Sequence, residues 1–271
     1  MSKIIEKAIS EIREIYNNRH RIWVLAKKEL KLEFGQSKLG FLWSLLEPLS
    51  IILIYSTIFP LILGVSFRSW VLFFIAGYIP HRFLQEGIIS TSNCLVDNKN
   101  ILSQLSIKEE VLPLSTSLSV FIKFVLECML FFSVIFFSGI LPGPYILLFP
   151  VIAISELFIV LGFGMHLSVS FITFRDLQHI LKVFFQALFF LVPIVYRLSK
   201  IPELYRNLYL SNPFSRLIIL YQGSLLQNLE NYVIPINFPG NILLIFFFSC
   251  GILLIGYMSF KRRKRKYIEE L

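Results

Sequence analysis

From residue 41 to residue 63 the chain is almost wholly apolar, with Glu47 its only charged side chain. A helix needs about 20 such residues to cross the hydrocarbon core of a bilayer. Five further apolar runs follow, at about 70–89, 118–140, 145–171, 181–196 and 240–260. Hydrocarbon offers no water to backbone N–H and C=O groups, so only helices and closed barrels span it. These runs are too long and too continuously apolar for barrel strands. The expected fold class is an all-α integral membrane protein with six transmembrane helices.

Charge sets the expected orientation. The net charge is +9, but only 16% of residues are charged, against about 25% in a soluble domain. The cations gather at the two ends, beside the apolar runs, with no basic domain between them, which argues against nucleic-acid binding. Lys3, Lys7, Arg13, Arg19, Arg21, Lys27, Lys28, Lys31 and Lys38 precede the first run, and Lys261 to Lys266 are all basic. An even number of spans puts both ends on one side, and the positive-inside rule makes that side cytoplasmic. The expected division is a cytoplasmic amphipathic leader (1–40), a six-span domain (41–260) and a basic cytoplasmic tail (261–271).

Within the leader, Ile5, Ile9, Ile12, Ile15 and Tyr16 recur at helical spacing with charges between them. Such a helix suits the membrane surface; packing on another subunit is the alternative. The segment 197–239 contains Pro202, Pro213, Pro235 and Pro239 around two short apolar pieces, 204–210 and 214–226. Pieces of that length are re-entrant or interfacial, or else lie in an external loop. No early apolar stretch marks a cleavable signal peptide.

Several polar groups fall inside apolar runs. Lys123 and Glu127, and likewise Arg82 and Glu86, stand one helical turn apart. Glu156, His166 and Gln186 are further cases. Either they line a polar pathway or they join helices. Cys94, Cys128 and Cys250 have no metal or redox spacing. Gly35 and Gly40 have the spacing of a phosphate loop, but Phe41 and Leu42 follow where Lys and Ser or Thr are required. No nucleophile elbow or H-E-x-x-H is present, so any ATP must be bound by another chain.

Ser37, Leu39, Gly40 and Trp43 are followed by Pro48-Leu49, Tyr55 and Phe59. Further on come Leu112-Pro113-Leu114, Phe174-Arg175-Asp176, Pro193-Ile194-Val195-Tyr196 and Asn212-Pro213. In this order the motifs resemble those of the membrane-spanning (permease) subunits of type-2 ABC exporters of lipid-linked O-antigen, capsule or teichoic-acid polymers. Glu33-Phe34 stands where that family usually has Arg-Tyr.

The resemblance implies a non-enzymatic permease in the cytoplasmic (inner) membrane, paired with a second copy of itself. Two ATPase subunits would bind ATP and Mg, with no cofactor on this chain. ATPase contacts are expected at the leader's end (Glu29, Glu33, Lys38), at the loop from Asp97 to Lys108, and at Arg175-Asp176, which otherwise cap helices. A polyprenyl-diphosphate-linked glycan is the expected substrate. Arg19, Arg21, Lys27 and Lys28 are candidates for its diphosphate, and Trp43, Tyr55, Phe59, Tyr196 and Tyr221 for its sugars. The rival readings are a type-2 exporter of drugs or small lipids and a membrane-embedded lipid-modifying enzyme.

Overall fold

A computed structural model describes residues 11, 13–35, 40, 42–99, 108–139, 143–229 and 236–268, with side chains as far as 263. The described elements are helical: α1 (Arg19–Gly35), α2 (Leu42–Leu63), α3 (Phe67–Asp97), α4 (Val111–Phe137), α5 (Phe149–Thr173), α6 (Leu177–Leu191), α7 (Glu203–Ser211), α8 (Pro213–Leu225) and α9 (Phe238–Ile268). A 3-10 turn, Pro144–Leu148, leads into α5.

Among the described residues, four segments are long and apolar enough to cross a membrane: Leu42–Leu63, Val111–Phe137, Pro144–Thr173 and Phe238–Arg263. The expected second span lies within the 31-residue α3, where Arg82 and Glu86 interrupt the apolar run. The expected fifth lies in α6, which has 15 residues. At 1.5 Å per residue that is about 22 Å, short of the roughly 30 Å hydrocarbon core.

The centre is α5, packed most extensively against α9 and α3. Small residues permit the approach. A Cβ on Gly256 would overlap the carbonyl of Gly162, and one on Gly164 would overlap Thr91. Helices in lipid gain little from hydrophobic burial against one another, so close backbone packing carries their association. By contrast α2 packs chiefly on α3 and leaves Leu53, Ile54, Leu61 and Ile62 exposed.

Pro193 ends α6, because proline has no N–H to donate and disfavours helix in the residue before it. Residues 192–195 then run irregularly but fully buried. Two side chains satisfy this backbone: Gln222 Nε2 donates to the Pro193 carbonyl at 2.8 Å, and Trp70 Nε1 to that of Val195 at 3.2 Å. The two short apolar pieces form α7 and α8, joined at Asn212, whose side chain caps α8 by accepting from Phe214 N at 3.0 Å. None of α7 is buried, whereas Leu217 to Leu225 of α8 lie in the core.

Candidate functional site

The two charged pairs read from sequence meet across the α3–α4 interface. Arg82 Nη1 lies 3.3 Å from Glu127 Oε1, and Lys123 pairs with Glu86. Arg82 also reaches Glu86 at 3.8 Å on its own helix. Two neighbouring helices add a carboxylate each. Glu47 of α2 accepts from Arg82 Nη2 at 3.0 Å, and Glu33 of α1 accepts from Lys123 Nζ at 3.0 Å through both oxygens. A lone charge in mid-bilayer costs about 2.5–3.5 kcal/mol on insertion scales; cross-pairing compensates each of these groups. Four helices are thereby tied at one level.

One turn before Glu33, Glu29 accepts from Thr116 Oγ1 at 2.7 Å and Ser119 Oγ at 2.8 Å. Glu29 and Glu33 together key α1 onto α4. Burial pushes the Glu29 carboxyl above the usual carboxylate range, opposed by those hydroxyls and by Lys123 and Lys28.

Next to this tier, α2, α3 and α6 enclose a cleft of about 690 Å³. A second hollow of about 540 Å³ shares Glu33, Glu47, Ile51 and Arg82 with it and adds Trp43 and Ser44. The cleft is charged at one end, with Glu33, Glu47, Arg82, Glu86 and Lys182. Tyr55, Tyr78, His81, Phe185, Phe189 and Phe190 also line it, with Ile51, Gln85, Ile89, Ser90 and Gln186 between them. A stack of near-parallel rings runs along the α2–α3 seam. Tyr55 lies 5.3 Å from Phe59 and 5.2 Å from Phe74, and Phe74 lies 4.9 Å from Trp70 and 5.3 Å from Tyr78. Phe189 of α6 meets Tyr55, Phe74 and Tyr78 edge-on.

The residues proposed for a pathway fall in several places. Tyr55 and Trp43 line the two hollows, and Phe59 belongs to the stack. Tyr196 stands at the break after α6, its hydroxyl donating to the Phe190 carbonyl at 2.6 Å and 3.2 Å from that of Tyr209. Tyr221 lies in the core instead. It is fully buried and donates to Glu156 Oε2 at 2.7 Å, bracing α8 on α5.

Arg19, Arg21, Lys27 and Lys28 are all exposed, and none lines the cleft. Arg19 and Lys27 instead sit over Tyr16 and Trp23 of their own segment.

Among the proposed ATPase contacts, Glu29 and Glu33 face α4 of this chain, although Glu33 is half exposed. Asp97 ends α3 exposed and accepts from Asn93 at 2.8 Å. Lys108 pairs with Glu14. Arg175 and Asp176 form an exposed turn whose backbone carbonyls accept from Gln178 at 3.3 Å and His179 at 3.0 Å. The Asp176 side chain makes no cap bond, so side-chain capping does not explain it. Lys38 lies outside the described residues.

The sequence reading did not single out Glu47, Tyr78 or Phe189 as site residues. Glu47 had a signal, as the one charge in the first run. For the two aromatics only their neighbours on other helices distinguish them from ordinary packing.

The family model described as ABC-2 type transporter matches residues 20–226. Among curated relatives, the O-antigen export system permease protein RfbA of Myxococcus xanthus is 30% identical over 78% of this chain and 82% of its own. A protein of the same name from Klebsiella pneumoniae is 24% identical over 92% and 93%. The polysialic acid transport protein KpsM of Escherichia coli is 24% identical over 88% and 91%.

Proposed function

The chain belongs to the ABC-2 type transporter family; from that premise we propose that it is the membrane-spanning subunit of an ATP-driven exporter of a lipid-linked polysaccharide. ATP and Mg act on a partner ATPase subunit. The observation that carries the polysaccharide reading is the cleft between α2, α3 and α6, where Tyr55, Tyr78, Phe185, Phe189 and Phe190 share the wall with a charged cluster. Aromatic rings present apolar faces to sugar rings, and Tyr adds a polar handle. The relatives' names, O-antigen export and polysialic acid transport, point the same way.

The working unit is two copies of this chain with two ATPase subunits, in the inner membrane. Six spans cross it, α3 and α6 with its irregular extension completing the four longer ones. The burial of α8 in the shared core supports a re-entrant hairpin. Both ends of the chain lie in the cytoplasm, with the leader at 1–40, the membrane domain at 41–260 and the tail at 261–271. The exposed Arg175-Asp176 turn and the ends of the Asp97 to Lys108 loop receive the ATPase. Its stroke on α1 passes through Glu33 and Lys123 to Glu86, and through Arg82 to Glu47 on α2. Moving α2 against α3 widens the cleft.

Deletion of the gene tests this reading. The expected result is loss of surface polysaccharide, with carrier-linked polymer accumulating inside the cell. Normal surface polymer with no trapped intermediate would refute it, and altered drug or small-lipid efflux in its place would favour that other class of exporter.

A further inference from the structure

The relatives are named for an O-antigen and for polysialic acid. Polysialic acid carries a negative charge on every residue, so the two classes differ in what a path must accommodate. The described residues of the cleft bear on that choice. Arg82 is surrounded by Glu47, Glu86 and Glu127 at 3.0, 3.8 and 3.3 Å. Lys123 is buried behind the wall and held by Glu33 and Glu86. Lys182 of α6 adds one exposed cation to the lining, against the three carboxylates of Glu33, Glu47 and Glu86. The remaining lining is mostly aromatic and aliphatic.

A polyanion threading a low-dielectric cleft needs uncompensated positive charge at each step, and like charges brought together are strongly disfavoured. Here the two network cations already serve carboxylates of the protein, while Glu47 is 70% exposed and faces the path. Uncharged sugars meet neither penalty, and Tyr55, Tyr78 and the exposed Phe190 line the same cleft. A single diphosphate at the lipid end passes once per molecule, whereas an acidic repeat meets the carboxylates at every unit.

We propose that this cleft selects glycans whose repeat units carry no net negative charge, with the exposed Glu47 carboxylate disfavouring acidic polymers of the polysialic-acid or teichoic-acid kind. The proposal rests on the export reading above and narrows its substrate class. It makes Glu47 a specificity residue through its exposed carboxylate.

The test uses the complete complex, permease with its ATPase, in cells lacking their own polymer exporter. Two host strains make polymers on the same lipid carrier that differ only in whether the repeat contains a uronic acid. Surface polymer and carrier-linked polymer inside the cell are both measured. The uncharged polymer is expected at the surface and the acidic one trapped inside. Glu47→Gln, which keeps an acceptor for Arg82, is expected to raise the ratio of acidic to uncharged polymer at the surface roughly tenfold, the effect of relieving about 1.4 kcal/mol. Equal export of both polymers by the unaltered complex, or an unchanged ratio with Glu47→Gln at normal membrane levels, overturns the proposal. Export of neither by an assembled complex would instead sink the export reading, and the charge selection with it.

Discussion

The centre of the bundle and its rim are built differently. Around α5, glycines bring helix backbones together until a single methyl group has no room. Around α2 and α6, large apolar side chains point outward and the packing on the rest of the chain is thin. Close packing has discrete solutions and resists deformation, so the α3–α5–α9 centre is the scaffold. The rim, tied to it by one charged tier and a stack of rings, is the part that can move. The cleft lies between the two.

Gly256→Leu attacks the centre. It forces a side chain into the Gly162 backbone, beyond the roughly 1–3 kcal/mol of ordinary overpacking. The expected outcome is near-absence of folded protein in the membrane fraction, read by immunoblot and detergent-extracted size exclusion. Arg82→Ala cuts the link between centre and rim. It leaves Glu127 buried without its cation, a loss of about 3–5 kcal/mol for a buried pair, and frees Glu47. Thermal unfolding in detergent should shift down clearly, and Glu47→Gln, which spares the buried partner, should shift it far less.

Tyr221→Phe removes the described hydrogen-bond partner of Glu156. An unsatisfied buried group costs about 1–3 kcal/mol, so a smaller fall in melting temperature is expected, with the complex still assembled. At the rim, Tyr55→Leu removes two stacked contacts, worth about 0.5–1.5 kcal/mol each. Membrane levels should stay near normal while surface polymer falls; equal loss of both would assign Tyr55 to packing alone. Lys27→Ala with Lys28→Ala should do least. Both side chains are exposed, and surface changes of this kind stay within about 0.5 kcal/mol. A strong export defect would support the leader helix as the site of the diphosphate.

Hydropathy read the runs of α2, α4, α5 and α9 to within a few residues at most boundaries, because their apolar stretches fill a bilayer crossing. It read α3 short. The helix continues to Asp97 through Ser90, Thr91, Ser92 and Asn93, where backbone hydrogen bonding persists after hydropathy fades. It placed α6 late, starting at 181 and running on to 196 where the helix is Leu177–Leu191, because Pro193, Ile194 and Val195 are as apolar as a helix but are held as irregular buried backbone by Gln222 and Trp70. Helical spacing brought out Lys123 with Glu127 and Arg82 with Glu86. It could not reveal that these residues pair across helices, because a period says which face a residue occupies and not which neighbour that face meets. The burial of Tyr221 against Glu156 was hidden for the same reason, as were the bonds that Glu29 and Glu33, expected to meet the ATPase, make to Thr116, Ser119 and Lys123 of α4.

Reconstitution of the permease with its ATPase in proteoliposomes tests the central claim most directly. Carrier-linked glycan in the outer leaflet would be followed by its accessibility to a glycosidase that cannot cross the membrane. ATP should make the glycan change sides, and Arg82→Ala in the same vesicles should abolish the change. Movement that is independent of ATP, or an assembled complex that hydrolyses ATP and leaves the glycan where it was, would contradict the account.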